Sequence, residues 1–217
     1  MTIARHSYTQ GTNSVNDTAS VTVAGATAGR LLLILVEWYD ATSISTITCP
    51  GEAITARGSV MTGHTGDALA KSAWYTIDAL AGSGDKTVTV VLSDSAAFSF
   101  AVTAWELSGN DASPYDNSTT ATGSTTATTS LTTTAANSAI FAVCTSNSTK
   151  PSAGSDYIAE DGPNVLGFDN CEYDLDAGAA GSKTVDFGGS LGSWGIHAIA
   201  IKAAIEAGAA MMGQACL

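Results

Sequence analysis

Three histidines are the side chains best suited to proton transfer near neutral pH. His6 lies in a polar N-terminal stretch, and His64 lies in a glycine-rich segment. His197 lies within an apolar run, on the same side as Ile199 and Ile201, and is predicted to be a core residue whose ring is satisfied by a hydrogen bond. The sequence contains no nucleophile elbow, zinc-protease, P-loop or dinucleotide-binding motif. The residues therefore predict no enzyme, no catalytic residue and no cofactor.

Carboxylates are the side chains that could bind calcium, which prefers oxygen ligands. The acidic clusters are Asn110, Asp111 and Asp116; Asp156, Glu160 and Asp161; and Glu172, Asp174 and Asp176. Members of the last cluster alternate along a predicted strand, so they share a face without converging on one point. The four cysteines are widely separated and lack a C-x-x-C pairing, which disfavours zinc: Cys49, Cys144, Cys171 and Cys216. We expect solvated carboxylates, mostly buried thiols and no metal site.

The composition restricts the class of protein. The chain has 217 residues, 45% of them hydrophobic, and a net charge of −12 with eight basic residues. So few and scattered positive charges argue against nucleic-acid binding, which needs clustered lysine and arginine. The N-terminus has no apolar segment typical of a secretory signal, which predicts synthesis in a cytosol. The longest apolar run, 31–36, is too short to span a bilayer.

Residues 72–110 contain three short apolar runs separated by turn residues, a pattern typical of β-strands. In the middle run Val88, Val90 and Leu92 share one side, because side chains alternate across a strand. The glycine-rich connection 79–85 is predicted to be a hairpin loop. This stretch is predicted to be the centre of an antiparallel sheet.

In the run 30–40, both the odd-numbered and the even-numbered positions are apolar as far as Val36. An antiparallel strand of this kind must be covered on both faces. We expect the second cover to be either a long loop or a neighbouring subunit.

The two halves of the chain, about 20–110 and 117–202, resemble each other. Thr18–Val23 matches a similar threonine-rich segment before Ala139, and Trp74-Tyr75 with its glycine-rich loop matches Glu172-Tyr173 with its own. Four strands repeated twice fit one jelly roll or two tandem sandwiches. No long linker lies near Asp111, which favours a single antiparallel jelly-roll β-sandwich over 20–202, preceded by an N-terminal arm or edge strand, 1–19.

Two segments of the second half are less regular. Residues 111–117 contain Pro114 and Asp116 and are predicted to be a loop. Residues 119–134 are almost wholly threonine, serine, alanine and glycine, a composition that fits a disordered linker or a half-exposed strand. We favour an extended strand there.

The C-terminal tail, 203–217, has the only helical composition in the chain. It is either a frayed terminus or a helical docking peptide. In the second case its apolar side chains are the predicted partner-binding residues: Ile205, Met211, Met212 and Leu217.

Aromatic side chains could mark a surface that binds carbohydrate. Most of the large rings fall within strand patterns and are predicted to pack in the core. Tyr115 and Tyr157 are the candidates for a glycan-facing pair in this alternative.

The run 72–116 resembles a β-sandwich module of tailed-phage virion proteins and some bacterial surface proteins. The resemblance rests on an aromatic pair, a glycine-rich turn, a Thr/Val strand, an aromatic-Glu-aliphatic-Ser-Gly corner and a Pro-x-Asp turn, here Trp74-Tyr75, 82–84, 87–91, 105–109 and 114–116. It implies a capsid decoration (cement) protein or head fibre, made in the host cytoplasm and bound to the outside of the phage head.

Its implied partners are the major capsid protein and copies of itself, with a trimer the expected oligomer. No nucleic acid or membrane is implied. The alternatives are a carbohydrate-binding or adhesin module for host attachment, and a tail or baseplate component.

Overall fold

Antiparallel β-strands build the fold. The computed structural model describes residues 2–13, 16–39, 42–64, 67–94, 99–160 and 169–205. These residues form sixteen strands and no helix, and every ladder between strands is antiparallel. The predicted all-β, sandwich-like class is confirmed.

The first half of the chain contains eight of these strands. Their bounds are β1 Ala4–Asn13, β2 Thr18–Ala26, β3 Leu31–Tyr39, β4 Ile44–Thr48, β5 Thr55–His64, β6 Asp67–Ile77, β7 Gly84–Leu92 and β8 Phe100–Ser108. Five form the first large sheet, in the order β1-β8-β3-β6-β5, and three form the first small sheet, in the order β2-β7-β4.

The second half repeats this order strand for strand. Its bounds are β9 Asn110–Gly123, β10 Ala127–Thr133, β11 Ala139–Ser146, β12 Ser152–Ala153, β13 Ile158–Glu160, β14 Asp169–Asp174, β15 Gly181–Gly188 and β16 Trp194–Ala203. The second large sheet has the order β9-β16-β11-β14-β13, and the second small sheet has the order β10-β15-β12. Each strand of the second half therefore occupies the place of the strand eight earlier.

Three apolar cores hold four layers together, in the order small, large, large and small sheet. The first core lies between the sheets of the first half and includes Leu32, Ile34 and Val88. The third lies between the sheets of the second half. The middle core joins the two large sheets, and contains Leu33 from the first half and Phe141 from the second.

The middle core explains the two-sided apolar run in β3. Its even-numbered residues Leu32 and Ile34 pack in the first core, whereas Leu33 and Leu35 pack in the middle core. Cover on both faces was predicted, but the second cover is neither a loop nor a neighbouring subunit. It is the second half of the same chain.

The strands do not form the single sandwich predicted over 20–202, because eight strands already complete two sheets within the first half. No linker is needed between the halves, since Gly109 alone separates β8 from β9. Its φ of +78° is a left-handed conformation, and an added Cβ would lie 2.3 Å from the Thr2 carbonyl oxygen. A single glycine thus makes the junction, so the lack of a long linker near Asp111 did not exclude two tandem sandwiches.

Two segments follow their predictions and two differ. Residues 4–13 are β1, an edge strand paired with β8, and 119–134 contains the end of β9 and all of β10, as the expected extended strand requires. The expected loop 111–117 lies within β9 instead. The connection 79–85 is no hairpin, because β6 and β7 belong to different sheets.

The C-terminal tail lies largely outside the described residues. Ala203 belongs to β16 and not to the tail. Ala204 and Ile205 follow without helical structure, while Met211, Met212 and Leu217 lie outside the described ranges.

Candidate functional site

Tyr115 and Tyr157, the proposed glycan-facing pair, lie at opposite edges of the second large sheet. Tyr115 is on edge strand β9, where its hydroxyl lies 3.1 Å from Ser118 Oγ and the guanidinium of Arg57 lies 5.4 Å from its ring centroid. Tyr157 precedes the other edge strand, β13. The two rings therefore do not form one sugar-binding row.

His197 is a buried residue of the middle core region, as its sequence context predicts. Its Nδ1 lies 2.9 Å from Ser72 Oγ, whereas the buried Nε2 has no hydrogen-bond partner. Burial lowers the pKa of His197 to about 3, although the contact with Ser72 acts in the opposite direction. The ring is neutral near pH 7. His6 is elsewhere, with Nε2 2.7 Å from Ser108 Oγ on the exposed surface, and the side chain of His64 lies outside the described part of the structure.

The carboxylates of β14 are not all solvated, which corrects the expectation for Glu172. Glu172 is 1% exposed, and its Oε2 accepts a hydrogen bond of 2.8 Å from the Gly154 N–H. Burial, with nearby Asp186, raises the pKa of Glu172 to about 8, although the Gly154 bond acts against this shift. Asp174 is half-buried and accepts a hydrogen bond of 2.9 Å from the Asp176 N–H. Within the described ranges no group of three or more His, Cys, Asp or Glu side chains could hold a metal ion.

A polar cavity of about 300 Å³ opens at the edge of the second half, and we call it the Tyr157 cavity. Its lining residues are Ile140, Asp156, Tyr157, Asp174, Ala177, Ser182, Lys183 and Thr184. The Tyr157 hydroxyl donates a hydrogen bond of 2.9 Å to the Thr184 carbonyl oxygen. This bond ties the loop before β13 to β15 and fixes the tyrosine ring at the cavity wall.

The first half carries a larger side chain at the equivalent place, a leucine instead of an alanine, and its own cavity of about 340 Å³ lies along the β4–β5 loop, where Glu52 lines it. The Leu80 N–H donates to the carbonyl of Arg30, directly before β3, and the Ala177 N–H donates to the carbonyl of Ser138, directly before β11. Leu80 and Ala177 are therefore equivalent. Leu80 is 2% exposed and packs in the first core. Alanine at the same place is smaller, and it packs against the third core together with Tyr157.

A second replacement makes the cavity polar. Ile77 pairs with Leu32 in the first half, and Asp174 pairs with Ile140 at the equivalent place in the second. Ile77 is 1% exposed within the first core. A carboxylate thus stands where the other half has a buried aliphatic side chain.

The lysines of the two halves differ in their partners. Lys86 and Lys183 each lie two residues after a glycine with positive φ, Gly84 and Gly181. The Lys86 Nζ lies 2.5 Å from Glu52 Oε1 in an ion pair. Lys183 forms no ion pair with any residue that the structure describes, so its ammonium remains able to bind a ligand.

No family model, no curated protein and no solved structure matches this chain. The described residues include no helix that is long and apolar enough to cross a membrane. Candidate functions therefore come from the chain's own residues, and the Tyr157 cavity is the site with the clearest chemistry.

Proposed function

We propose that this protein is a structural protein of a tailed-phage virion, which decorates the outside of the head and stabilises its shell. We assign each half to the jelly-roll type, with its fifth strand moved into the larger sheet. The strand orders β1-β8-β3-β6-β5 and β2-β7-β4, repeated in the second half, support this assignment. Such tandem sandwiches would form a stiff body that presents a separate attachment segment.

The exposed start of the tail is the observation that carries this proposal. The Ala204 N–H donates a hydrogen bond of 2.8 Å to the Gly109 carbonyl, which fixes the residue after β16 to the junction between β8 and β9. The next residue, Ile205, is 83% exposed, more than the other exposed large aliphatic side chains, Val60 and Ile158. The tail sequence adds Met211, Met212 and Leu217 after Ile205, and an apolar segment of this kind next to a fixed anchor favours attachment to a partner.

Strand β3 gives the proposal no support. A long loop or a neighbouring subunit was expected to cover its second face, and the second half of the chain covers it instead. Trimerisation and the major capsid protein as partner rest on the resemblance to virion modules. If the protein binds the assembled lattice but not free capsid subunits, it stabilises the shell by mass action.

Removing 205–217 is expected to abolish attachment to capsids while leaving the double sandwich folded. The cut falls after the last backbone hydrogen bond of β16, so no described strand is shortened. Capsids that lack the protein would be mixed with the full chain or the truncated chain, pelleted, and imaged by electron cryo-microscopy. We expect density on the head exterior for the full chain and at least a tenfold lower occupancy for the truncated chain.

A matched control is Ile158→Ser, which removes an exposed aliphatic side chain from the body instead of the tail. It should attach normally. Full occupancy by the truncated chain would disprove the docking role of the tail, and density at the tail tube or baseplate would reassign the protein to that part of the virion.

A carbohydrate-binding function is the second candidate. The observation that favours it is the Tyr157 cavity, which replaces the expected pair of tyrosines as the place where a sugar would bind. Attachment to a capsid and recognition of a glycan use different parts of the molecule and are compatible.

A further inference from the structure

We propose that the Tyr157 cavity binds one neutral sugar residue. The proposal rests on the second candidate function and gives it a site, a ligand class and a set of ligand-contacting residues. It does not depend on how the tail attaches to a capsid.

The fold itself does not require the cavity. The first half has the same strand order and closes the equivalent space with Ile77 and Leu80, which are both buried. The second half has Asp174 and Ala177 there. Two buried aliphatic side chains of one half are thus replaced in the other by a carboxylate and a smaller side chain that both line a cavity, as expected of a site that holds a ligand.

The polar groups of the lining match alcohols better than ions. Asp156 and Asp174 supply acceptors, and Lys183 supplies donors. A sugar hydroxyl both donates and accepts, so neighbouring hydroxyls can satisfy both kinds of group at once. The two carboxylates would repel an anionic ligand, and the ammonium group would repel a simple cation. A neutral polyol avoids both repulsions.

Tyr157 supplies the apolar contact. Its hydroxyl is already used in the bond to Thr184, so the ring is what remains to contact a ligand. The apolar face of a pyranose ring is the natural partner of such a surface. The cavity volume of about 300 Å³ is at the lower end of ligand sites and suits one sugar ring better than a long oligosaccharide within the cavity.

Binding would be tested with the full chain by isothermal titration calorimetry. The probes are neutral sugars (glucose, galactose, mannose and N-acetylglucosamine), the acidic sugars glucuronic acid and N-acetylneuraminic acid, and glucosamine. We expect at least one neutral sugar to bind with a Kd of about 1 mM or tighter. Asp174→Asn and Lys183→Met should each weaken that binding by about tenfold or more, because each removes one side of the donor and acceptor pairing.

Filling the cavity is the sharpest test. Ala177→Leu introduces the side chain that the first half carries at the equivalent position, and should abolish binding without lowering the melting temperature. Ala179→Leu adds the same side chain at an exposed place in the same loop and should bind as the wild type does. If Ala177→Leu fails to fold, the Asp174→Asn titration decides.

The proposal is overturned if no neutral sugar binds, if the acidic sugars or glucosamine bind more tightly than every neutral sugar, or if Ala177→Leu binds as the wild type does. Capsid attachment of Ala177→Leu is measured in parallel. A variant that loses the sugar and still decorates capsids separates this site from the tail. Failure of the truncated chain to behave as expected bears on the decoration proposal alone.

Discussion

Replacing Trp105 with alanine is expected to lower the free energy of unfolding by about 3–5 kcal/mol. The Trp105 ring lies in the middle core and is 1% exposed. Its centroid lies 5.6 Å from that of Phe141, and its Nε1–H donates a hydrogen bond of 2.6 Å to Glu160 Oε2. Both partners belong to the second half, so the substitution removes a contact that joins the halves. Urea denaturation followed by circular dichroism would measure the loss.

Trp105→Phe is the control, because it keeps an aromatic ring in the core and loses the indole N–H with a smaller part of the buried volume. Glu160 retains its ion pair with Arg5 in this variant, so we expect a loss of about 1–2 kcal/mol. Calorimetry adds a second readout. The wild type should unfold in one transition, and the alanine variant should approach two as the coupling between the halves weakens. A loss under about 1 kcal/mol for Trp105→Ala would show that this ring does not hold the halves together.

The positions of most strands follow from residue patterns, but their partners do not. Val88, Val90 and Leu92 alternate in the sequence and are buried on one face of β7, as predicted. Alternation shows which side of a strand is buried and leaves open which sheet the strand joins. The loop 79–85 has the composition of a hairpin turn, yet it crosses between two sheets, because β6 pairs with β3 and β7 with β2.

The apolar run in β3 illustrates the same limit at the level of layers. Burial of both faces follows from its composition, whereas the identity of the cover depends on contacts between residues far apart in the chain. Leu33 meets side chains from the second large sheet, which begins after Gly109. No local pattern specifies that contact.

The sequence comparison of the two halves does not reveal the cavity, because its alignment is shifted by one residue from the register of the folded strands. Aligning Tyr75 with Tyr173 places Asp78 opposite Asp176. The backbone places Thr76, paired with Leu33, in the position of Tyr173, which is paired with Phe141. Only in this register do the changes from isoleucine to aspartate and from leucine to alanine become visible. The sequence identifies Tyr157 as a candidate binding residue by its aromatic ring. The other residues that line the cavity lie on separate segments, which only the folded chain brings together.

Glu37→Gln is expected to stabilise the protein above pH 4.5, increasingly as the pH rises. Glu37 lies at the interface between the large sheets, is 2% exposed, and has no hydrogen-bond partner at either carboxylate oxygen. Burial raises the pKa of Glu37 well above its usual value of 4.5, and Asp169 of the second half raises it further. Two other neighbours in the middle core region do not compensate the charge, since His197 is neutral near pH 7 and burial raises the pKa of the Cys171 thiol.

The direction follows from proton linkage. A carboxyl group whose pKa is higher in the folded state than in the unfolded state favours folding below the unfolded pKa, and this stability is lost as the pH rises toward the folded pKa. The loss is about 1.4 kcal/mol per pH unit across that window. Glutamine does not titrate, so the variant should match the wild type near pH 4 and exceed it progressively at pH 5, 6 and 7 in urea denaturation.

Glu52→Gln is the matched control with the opposite sign. Burial acts to raise the pKa of Glu52, but its bonds to Lys86 and to the Ala81 N–H outweigh burial and lower it. That carboxylate therefore contributes stability above pH 4.5 that is lost as the pH falls, and its replacement should destabilise the protein at pH 7 and less so in acid. Parallel pH profiles for Glu37→Gln and the wild type would mean that the Glu37 carboxyl group carries no uncompensated burial penalty. In that case polar groups near the carboxylate, such as Ser72 on the paired strand and Thr145 across the interface, would have to solvate it by way of bound water.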